Sequence, residues 1–385
     1  MLSTFKFRLY PSEAQARIME ETLETCRRLY NSMLADKKEN KTGFYDQNKM
    51  LVELKGTDKH LRLIHSQVLQ DVVLRLDKAL QAFFAGLSRY PRFKRGGCYN
   101  SFTYPQSGFK LEGDRIRLSK LGKVRVRLHR KVTGAIKRVT VIRDIDQWFV
   151  ALLVEETPNG VHSGDGQVGV DLGISNLVAL SDGTLVDNPR FLKRSMYRII
   201  SLQRGVYRKE KASKNRVKAK LSLAKAWRRV RRQRDDFAHK LSDQLTKENK
   251  VIVFENLRIG NMVKNHNLAS AIMDSSWGRL RRVTAYKAER RGGRVILVEP
   301  RGTSQKCSGC GEAVPKDLSE RVHGCPCCGL VMDRDVNAAR NILKLGQELA
   351  IVEERPLLVQ RRRISKFVPV KQEVHGMKPT GFSRG

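Results

Sequence analysis

Five of the chain's 7 cysteines crowd into CSGCGEAVPKDLSERVHGCPCCGLVMDRDVNAARN, Cys307 to Asn341, together with Asp333 and Asp335. Two C-x-x-C-G turns recur there, Cys307-Ser308-Gly309-Cys310-Gly311 and Cys325-Pro326-Cys327-Cys328-Gly329. In such a turn two thiolates converge on one ion while the glycine lets the backbone fold back beneath the sulfurs. Cys307, Cys310, Cys325 and Cys328 therefore read as a tetrahedral four-thiolate site for one Zn2+. The 14 residues between the pairs fall just short of the roughly 15 to 20 of comparable motifs. This register leaves Cys327 over; a set of Cys307, Cys310, Cys325 and Cys327 is the less regular alternative, and an unmetallated redox pair is the main rival. Zinc held by four thiolates has no open position, so the site is structural and any chemistry belongs to other residues.

Those residues are carboxylates. Asp171 lies in GVDLG, Glu255 in VIVFENL, and Asp333 and Asp335 in MDRDVNAARNIL. The first two end or interrupt apolar strand patterns, where an acid is costly to bury unless it is paired or bound to metal. Three carboxylates gathered from separate elements would bind two Mg2+ about 3.5 to 4 Å apart, one activating water and the other stabilising a leaving 3′ oxygen. That chemistry is phosphodiester hydrolysis. A lone buried acid is more often salt-bridged than catalytic; the combination singles these out. The residues alone leave Asp333 and Asp335 both open as the third acid.

The elements that must position them follow from hydrophobic period. STFKFRL, residues 3 to 9, alternates as a strand, and Ser12 is placed to cap a helical region reaching about Leu87. Val68, Val72, Leu76, Leu80 and Phe84 recur there at near-fourfold spacing. DRIRLSKLGKVRVRLH and IKRVTVIRDIDQWFVALLVEE make a β-rich unit with a basic face, to which residues 3 to 9 can add a strand, leaving the helical block as an insertion. TPNGVHSGDGQ, 157 to 167, marks a boundary. QVGVDLG, NLVALSDG and TLV then read as three short strands joined by tight turns. Helical sequence leads into VIVFENL, a further helix around Trp277, Leu280, Val283 and Tyr286 follows, and RVILVE makes another strand.

Charge narrows the partner. With 75 Lys and Arg against 39 Asp and Glu, the net charge is +36, a self-repulsion that a polyanion relieves. Between Arg190 and Arg234 there are 18 basic residues and one acid, Glu210. A solvated helix face normally carries both signs, so this stretch reads as a phosphate-binding helical hairpin. The basic and aromatic stretch from Tyr90 to Gly108 reads equally as a nucleic-acid loop or a plain linker. Arg92, Lys94, Arg95, Lys209, Lys214, Arg228, Arg229, Arg231 and Arg232 are the expected nucleic-acid contacts. No apolar run has the length of a signal peptide or membrane span, and the clustered thiols suit a reducing compartment. A cytoplasmic protein with no membrane partner is expected.

A strand-borne Asp, a three-strand meander, helices, a strand-borne Glu and an Asp at a helix start, in that order, resemble an RNase H-like nuclease core. More specifically, GVDLGISNLVALSDG, VIVFENL, TSQKCSGCG, the second C-x-x-C-G and DRDVNAARNIL resemble the TnpB (OrfB) family, RNA-guided DNA endonucleases encoded by insertion sequences and related to type V CRISPR effectors. FKFRLYPSEAQ and YPRFK resemble its N-terminal half, and the likeness covers about residues 3 to 345.

The resemblance implies an α/β multidomain protein. A RuvC nuclease domain would span 161–302 and 330–348, with a zinc knuckle at 303–329 inserted in it. A wedge-like β-barrel would span 1–12 and 95–160, with a helical recognition domain at 13–94 inserted in that; apart from the resemblance, the low-pattern end of the chain at 349–385 reads as a flexible tail. It implies Asp171, Glu255 and Asp335 as Mg2+ ligands, Asp335 being the acid directly before V-N-A-A, with Asp333 left to cap the helix. Its partners would be a guide RNA encoded at or overlapping the transposon end and double-stranded target DNA cut beside a short adjacent motif, base pairing supplying specificity. The protein would act as a monomer near a prokaryotic nucleoid. Cys327 and the tail depart from the pattern. Two other readings are weaker. A nuclease-inactive RNA-guided repressor would have lost an acid, and all three are present. A strand-joining transposase would act in DNA transposition and recombination, and no Tyr or Ser context marks a covalent intermediate.

Overall fold

The computed structural model describes residues 2–157, 164–300, 302–317 and 320–354. The middle of the expected boundary at 157–167 and, of the expected tail at 349–385, the part beyond 354 lie outside them; residues 349–354 continue the last helix.

Strand β1 (Leu2–Tyr10) buries Phe5, Phe7 and Leu9 on one face, as its alternation requires. Ser12 then opens α1 (Glu13–Glu39) with a capping box: its hydroxyl accepts from the Gln15 N–H, and the Gln15 side chain accepts from the Ser12 N–H. Three more helices follow, α2 (Phe44–Thr57), α3 (Lys59–Arg62) and α4 (Ser66–Phe84). Val68, Val72, Leu76 and Leu80 of α4 are buried, whereas Phe84, at the last turn, is 77% exposed.

Six strands come next: β2 (Ser101–Tyr104), β3 (Phe109–Glu112), β4 (Arg115–Leu118), β5 (Gly122–Arg127), β6 (Ala135–Asp144) and β7 (Gln147–Glu155). The sheet order is β2-β6-β7-β1-β5-β4-β3, with β1 antiparallel to both β5 and β7. The N-terminal strand is therefore central, and α1 to α4 are an insertion between it and the rest of the sheet. The wedge-like barrel takes the form of a curled half-barrel, with β2 and β3 as its edges. Helices α1 and α4 share one core with its strands, Leu69 and Leu76 lying with Phe7 and Phe102, and cover what full closure would otherwise hide.

The C-terminal half holds β8 (Gly166–Leu172), β9 (Asn176–Leu180), β10 (Leu185–Asp187), α5 (Phe191–Tyr207), α6 (Lys214–Glu248) and β11 (Asn249–Glu255). It continues through α7 (Ile259–Met262), α8 (His266–Ser275), α9 (Trp277–Arg290), β12 (Arg294–Val298), β13 (Val322–Gly324), β14 (Val331–Asp333) and α10 (Arg334–Glu354). The sheet order is β10-β9-β8-β11-β12, parallel across β8, β11 and β12 and antiparallel elsewhere. Strand period splits its residues cleanly. Val168, Val170, Leu172, Ile252 and Phe254 form one core with Leu241 and Leu245 of α6 and Leu280 of α9. Val253 and Val298 face the opposite way and pack with Ile342 of α10. This helix-sheet-helix layering is the RNase H-like core.

Candidate active site

Asp171 and Glu255 belong to the face of the sheet that α10 covers. On β8, Gly169 and Asp171 point to that side two residues apart, and on β11 Val253 and Glu255 do the same. The parallel register pairs Gly169 with Val253 and Val170 with Phe254, so the two acids occupy the next step on adjacent strands. Gly169 has a steric reason to be glycine: a Cβ there would lie 2.0 Å from the Ala339 carbonyl oxygen of α10. Only a strand without a side chain at this point lets the helix lie so close, and that approach carries Asp335, in the first turn of α10, over the strand ends. A Cβ at Gly173 would lie 3.9 Å from an Asp335 carboxylate oxygen, at the end of the β8 segment that bears Asp171.

Asp333 does what a cap does. Its Oδ1 accepts from the N–H groups of Asp335 at 2.8 Å and Val336 at 3.1 Å. The ambiguity between the two acids is thus one of role: one holds the helix start, the other extends from it.

All three gathered carboxylates bind protons more tightly than usual. Burial, reinforced by the charges of Glu255 and Asp335, pushes Asp171 up to about 8. Burial raises Glu255 against a hydrogen bond from the Thr303 hydroxyl. Asp335 is raised by burial and by Asp333, and Arg321 and Arg334 oppose the shift from about 4 Å. Glu255 and Asp335 are near enough for their charges to act on Asp171, although the three carboxylates do not draw their oxygens together within 4.8 Å as the four cysteines do their sulfurs. Their donors are all oxygens, the kind a hard divalent ion such as Mg2+ takes.

The knuckle converges as its spacing implies. The ligand atoms of Cys307, Cys310, Cys325 and Cys328 lie within 4.8 Å of one another, the one such His, Cys, Asp or Glu group among the described residues. Sulfur separations of 3.5 Å for Cys307–Cys328 and 3.6 Å for Cys310–Cys325 are near the roughly 3.8 Å that tetrahedral Zn–S bonds of about 2.3 Å would give. The two turns are built alike. Gly311 N–H donates to the Cys307 carbonyl and Gly329 N–H to that of Cys325, with both glycines at positive φ, 83° and 72°. Cys327 is exposed and outside the set.

Sequence reasoning missed what ties the knuckle to the acids. Asn337 and Asn341, four apart on α10, both donate to the Lys306 carbonyl, at 2.8 and 2.7 Å, and Asn341 also donates to that of Thr303. Arg321 donates to Ser175 in the β8–β9 turn at 3.1 Å and reaches toward Asp335. The i, i+4 asparagines in NAARN were the available signal; Arg321 carried none.

The basic residues divide. Arg92, Arg95, Lys209, Lys214 and Arg229 are exposed. The Lys94 carbonyl accepts from Arg27 and Asn31, which pins its loop to α1. Arg228 is buried, donating to Asp146 at 2.5 Å and to the Asp144 carbonyl at 3.0 Å, while Arg231 and Arg232 pair with Asp144. These three dock α6 on the β6–β7 turn of the half-barrel. The α5–α6 hairpin also exposes Tyr197, Tyr207 and Trp227, aromatic surface that the net charge had hidden.

Comparison with known proteins agrees with this layout. Family models match residues 151–266 ("Probable transposase"), 277–342 ("Cas12f1-like, TNB domain") and 1–42 ("Helix-turn-helix domain"). The last segment is a strand and one unbroken helix here. The chain is 36% identical over 357 residues to a Streptomyces pristinaespiralis protein named "Putative RNA-guided DNA endonuclease", covering 89% of each. It is 35% identical over 399 residues to the Escherichia coli K12 protein named "Putative RNA-guided DNA endonuclease InsQ", covering 97% of each. A solved Cas12f1–sgRNA–target DNA complex shares the fold with a TM-score of 0.54 at 13% identity, over 89% of this chain and 98% of that one. Fold and site together define an RNase H-like protein with a four-cysteine knuckle. The chain belongs to the TnpB/Cas12f family of OrfB-associated RNA-guided nucleases.

Proposed function

We propose that the protein is an RNA-guided, Mg2+-dependent DNA endonuclease in which Asp171, Glu255 and Asp335 hold the catalytic metal ions. The observation that carries this is the gathering of three carboxylates on one side of the sheet, each with raised proton affinity. Two Mg2+ bound there would activate the attacking water and stabilise the leaving 3′ oxygen. The chain's own part is to fix the carboxylates on β8, β11 and α10, to keep Arg321 at the rim, and to hold phosphates along α5 and α6. Cys307, Cys310, Cys325 and Cys328 would hold one structural Zn2+. The guide RNA and target duplex would lie against the exposed basic residues, with Tyr197, Tyr207 and Trp227 available for stacking. Among the described residues no helix is long and apolar enough to cross a membrane.

The test is to purify the protein with its co-expressed RNA, sequence that RNA, and offer a plasmid bearing the matching target. Cleavage should require both the RNA and Mg2+, and Asp171→Ala should retain RNA-dependent binding without cutting. Cutting by Asp171→Ala, or joined products from labelled transposon ends without RNA, would overturn the reading.

A further inference from the structure

We propose that Thr303 is a positioning residue for Glu255, and that through it the zinc knuckle sets the affinity of the cleft for divalent metal. This rests on the reading above of Glu255 as a Mg2+ ligand.

Glu255 ends β11 with 7% of its surface exposed, and the Thr303 hydroxyl donates to its Oε1. A carboxylate turns easily about its last torsion. A donor on one oxygen restricts that rotation while leaving Oε2, and the second lone pair of Oε1, as acceptors that an ion could take. Such outer partners of metal ligands govern affinity because they decide how much orientational freedom is lost on binding.

Thr303 is itself held by the knuckle. It is 4% exposed, and its carbonyl accepts from Asn341 at 2.8 Å. Three residues on, the Lys306 carbonyl accepts from both Asn337 and Asn341, and the Ser308 N–H donates to Asn337 Oδ1 at 2.9 Å. Asn337 is fully buried. The segment from Thr303 to Ser308 is thus laced to one face of α10, the helix that carries Asp335, and it contains the first thiolate, Cys307. Cysteine ligation and the asparagine lacing fix one short loop, and that loop aims the hydroxyl at Glu255. Nothing about a purely structural zinc site requires its leading loop to hydrogen-bond a catalytic carboxylate.

The experiment uses the full chain and three substitutions. Thr303→Val keeps the shape and removes the donor, Thr303→Ser keeps the donor, and Asn341→Leu cuts the lacing without touching a cysteine. Manganese affinity is read on the RNA-free protein from loss of the free Mn2+ electron paramagnetic resonance signal, with Glu255→Gln as background. The Mg2+ concentration for half-maximal cleavage is read on the RNA-loaded protein. Thr303→Val is expected to weaken both by about 10- to 100-fold, with zinc content and RNA-dependent DNA binding retained, and Thr303→Ser to restore them to within about threefold. Asn341→Leu should weaken metal binding in the wild type and add little in Thr303→Val, since the two act through one hydroxyl. Wild-type metal affinity in Thr303→Val, or failure of Thr303→Ser to rescue it, overturns the positioning role. An equal effect of Asn341→Leu in both backgrounds overturns the route through Thr303. If Glu255→Gln itself binds Mn2+ and cuts like the wild type, the reading of Glu255 has failed instead.

Discussion

Removing the charge of Asp171 should stabilise the metal-free protein even though it destroys the proposed chemistry. The folded carboxyl is raised from 3.8 to about 8 by burial and by its two acidic neighbours. Between those limits the folded chain holds a proton that the unfolded chain has released, so stability falls as pH rises across the window. At about 1.4 kcal/mol per pH unit, the cost at pH 8 has a ceiling of roughly 6 kcal/mol. Side chains and water rearrange around a partly accessible group, so a gain of about 2 kcal/mol or more in Asp171→Asn is the expected result. For a domain of this size that is roughly 4 to 8 °C in Tm. By pH 5 the penalty shrinks to about a third of its pH 8 value, because the wild-type carboxyl is then protonated when folded and largely ionised only when unfolded.

The assay is thermal unfolding of the RNA-free protein at pH 5 and pH 8 in magnesium-free buffer without chelator, so that the knuckle keeps its metal. Added Mg2+ should raise the wild-type Tm at pH 8 and leave Asp171→Asn nearly unchanged, since a ligand stabilises only the fold that binds it. A variant that is no more stable than the wild type at pH 8, or whose gain is equal at pH 5, would refute the argument that burial and like charge dominate this site.

Cys310→Ser should lose one zinc per chain by metal analysis and loosen the C-terminal half, whereas Cys327→Ser, outside the sulfur cluster, should keep the full zinc content. Gly169→Ala must push α10 away from β8; we expect a loss of about 1–3 kcal/mol in chemical denaturation and a fall in cleavage of roughly 100-fold as Asp335 moves. Arg228→Ala should cost about 2 kcal/mol of stability by removing the buried donor to Asp146 and to the Asp144 carbonyl, leaving Asp146 only Lys225, with little change in the salt dependence of nucleic-acid binding. Arg229→Ala, together with Lys209→Ala and Lys214→Ala, should leave stability alone and lower the slope of log K against log salt by up to about 0.9 for each phosphate left without its cation.

What the sequence disclosed was what is local. VIVFENL declares a buried strand with an acid at its end, Ser12 declares a helix start, and the paired C-x-x-C-G turns declare a shared ion. Each depends on residues within a few positions of one another. Arg228 and Asp146 are 82 positions apart, and nothing in a run of like charge says which members will be spent on docking. Barrel closure is illegible for the same reason: β2 (Ser101–Tyr104) lies inside the Tyr90–Gly108 stretch that reads as a loop or linker, and only its pairing with the distant β6 makes it a strand and an edge of the sheet. Thr303 belongs to a recognisable TSQKC segment, but a threonine has no charge or thiol to advertise a partner, and its role emerges only when α10 folds the loop against β11.

If Asp171, Glu255 and Asp335 hold the catalytic ions as proposed, the distribution of charge would couple metal binding to substrate binding. The chain carries +36 overall, yet it keeps Asp171, Glu255 and Asp335 short of a counter-charge. Screening limits distant arginines to about 8 Å at physiological salt, and the nearest cations, Arg321 and Arg334, stand 3.9 and 4.0 Å from Asp335, at the outer limit of an ion pair. Closer arginines would satisfy the acids permanently and occupy the place of the ions. The basic surface is instead set along α5 and α6, where it attracts phosphates without neutralising the cleft. On the proposed reading, an incoming DNA strand would add negative charge beside carboxylates that already favour protonation and so strengthen the site's demand for divalent cations; bound cations would in turn lower the cost of bringing a phosphate there. By linkage each favours the other equally, and a cleft left acidic inside a basic protein is the arrangement that makes this coupling strong.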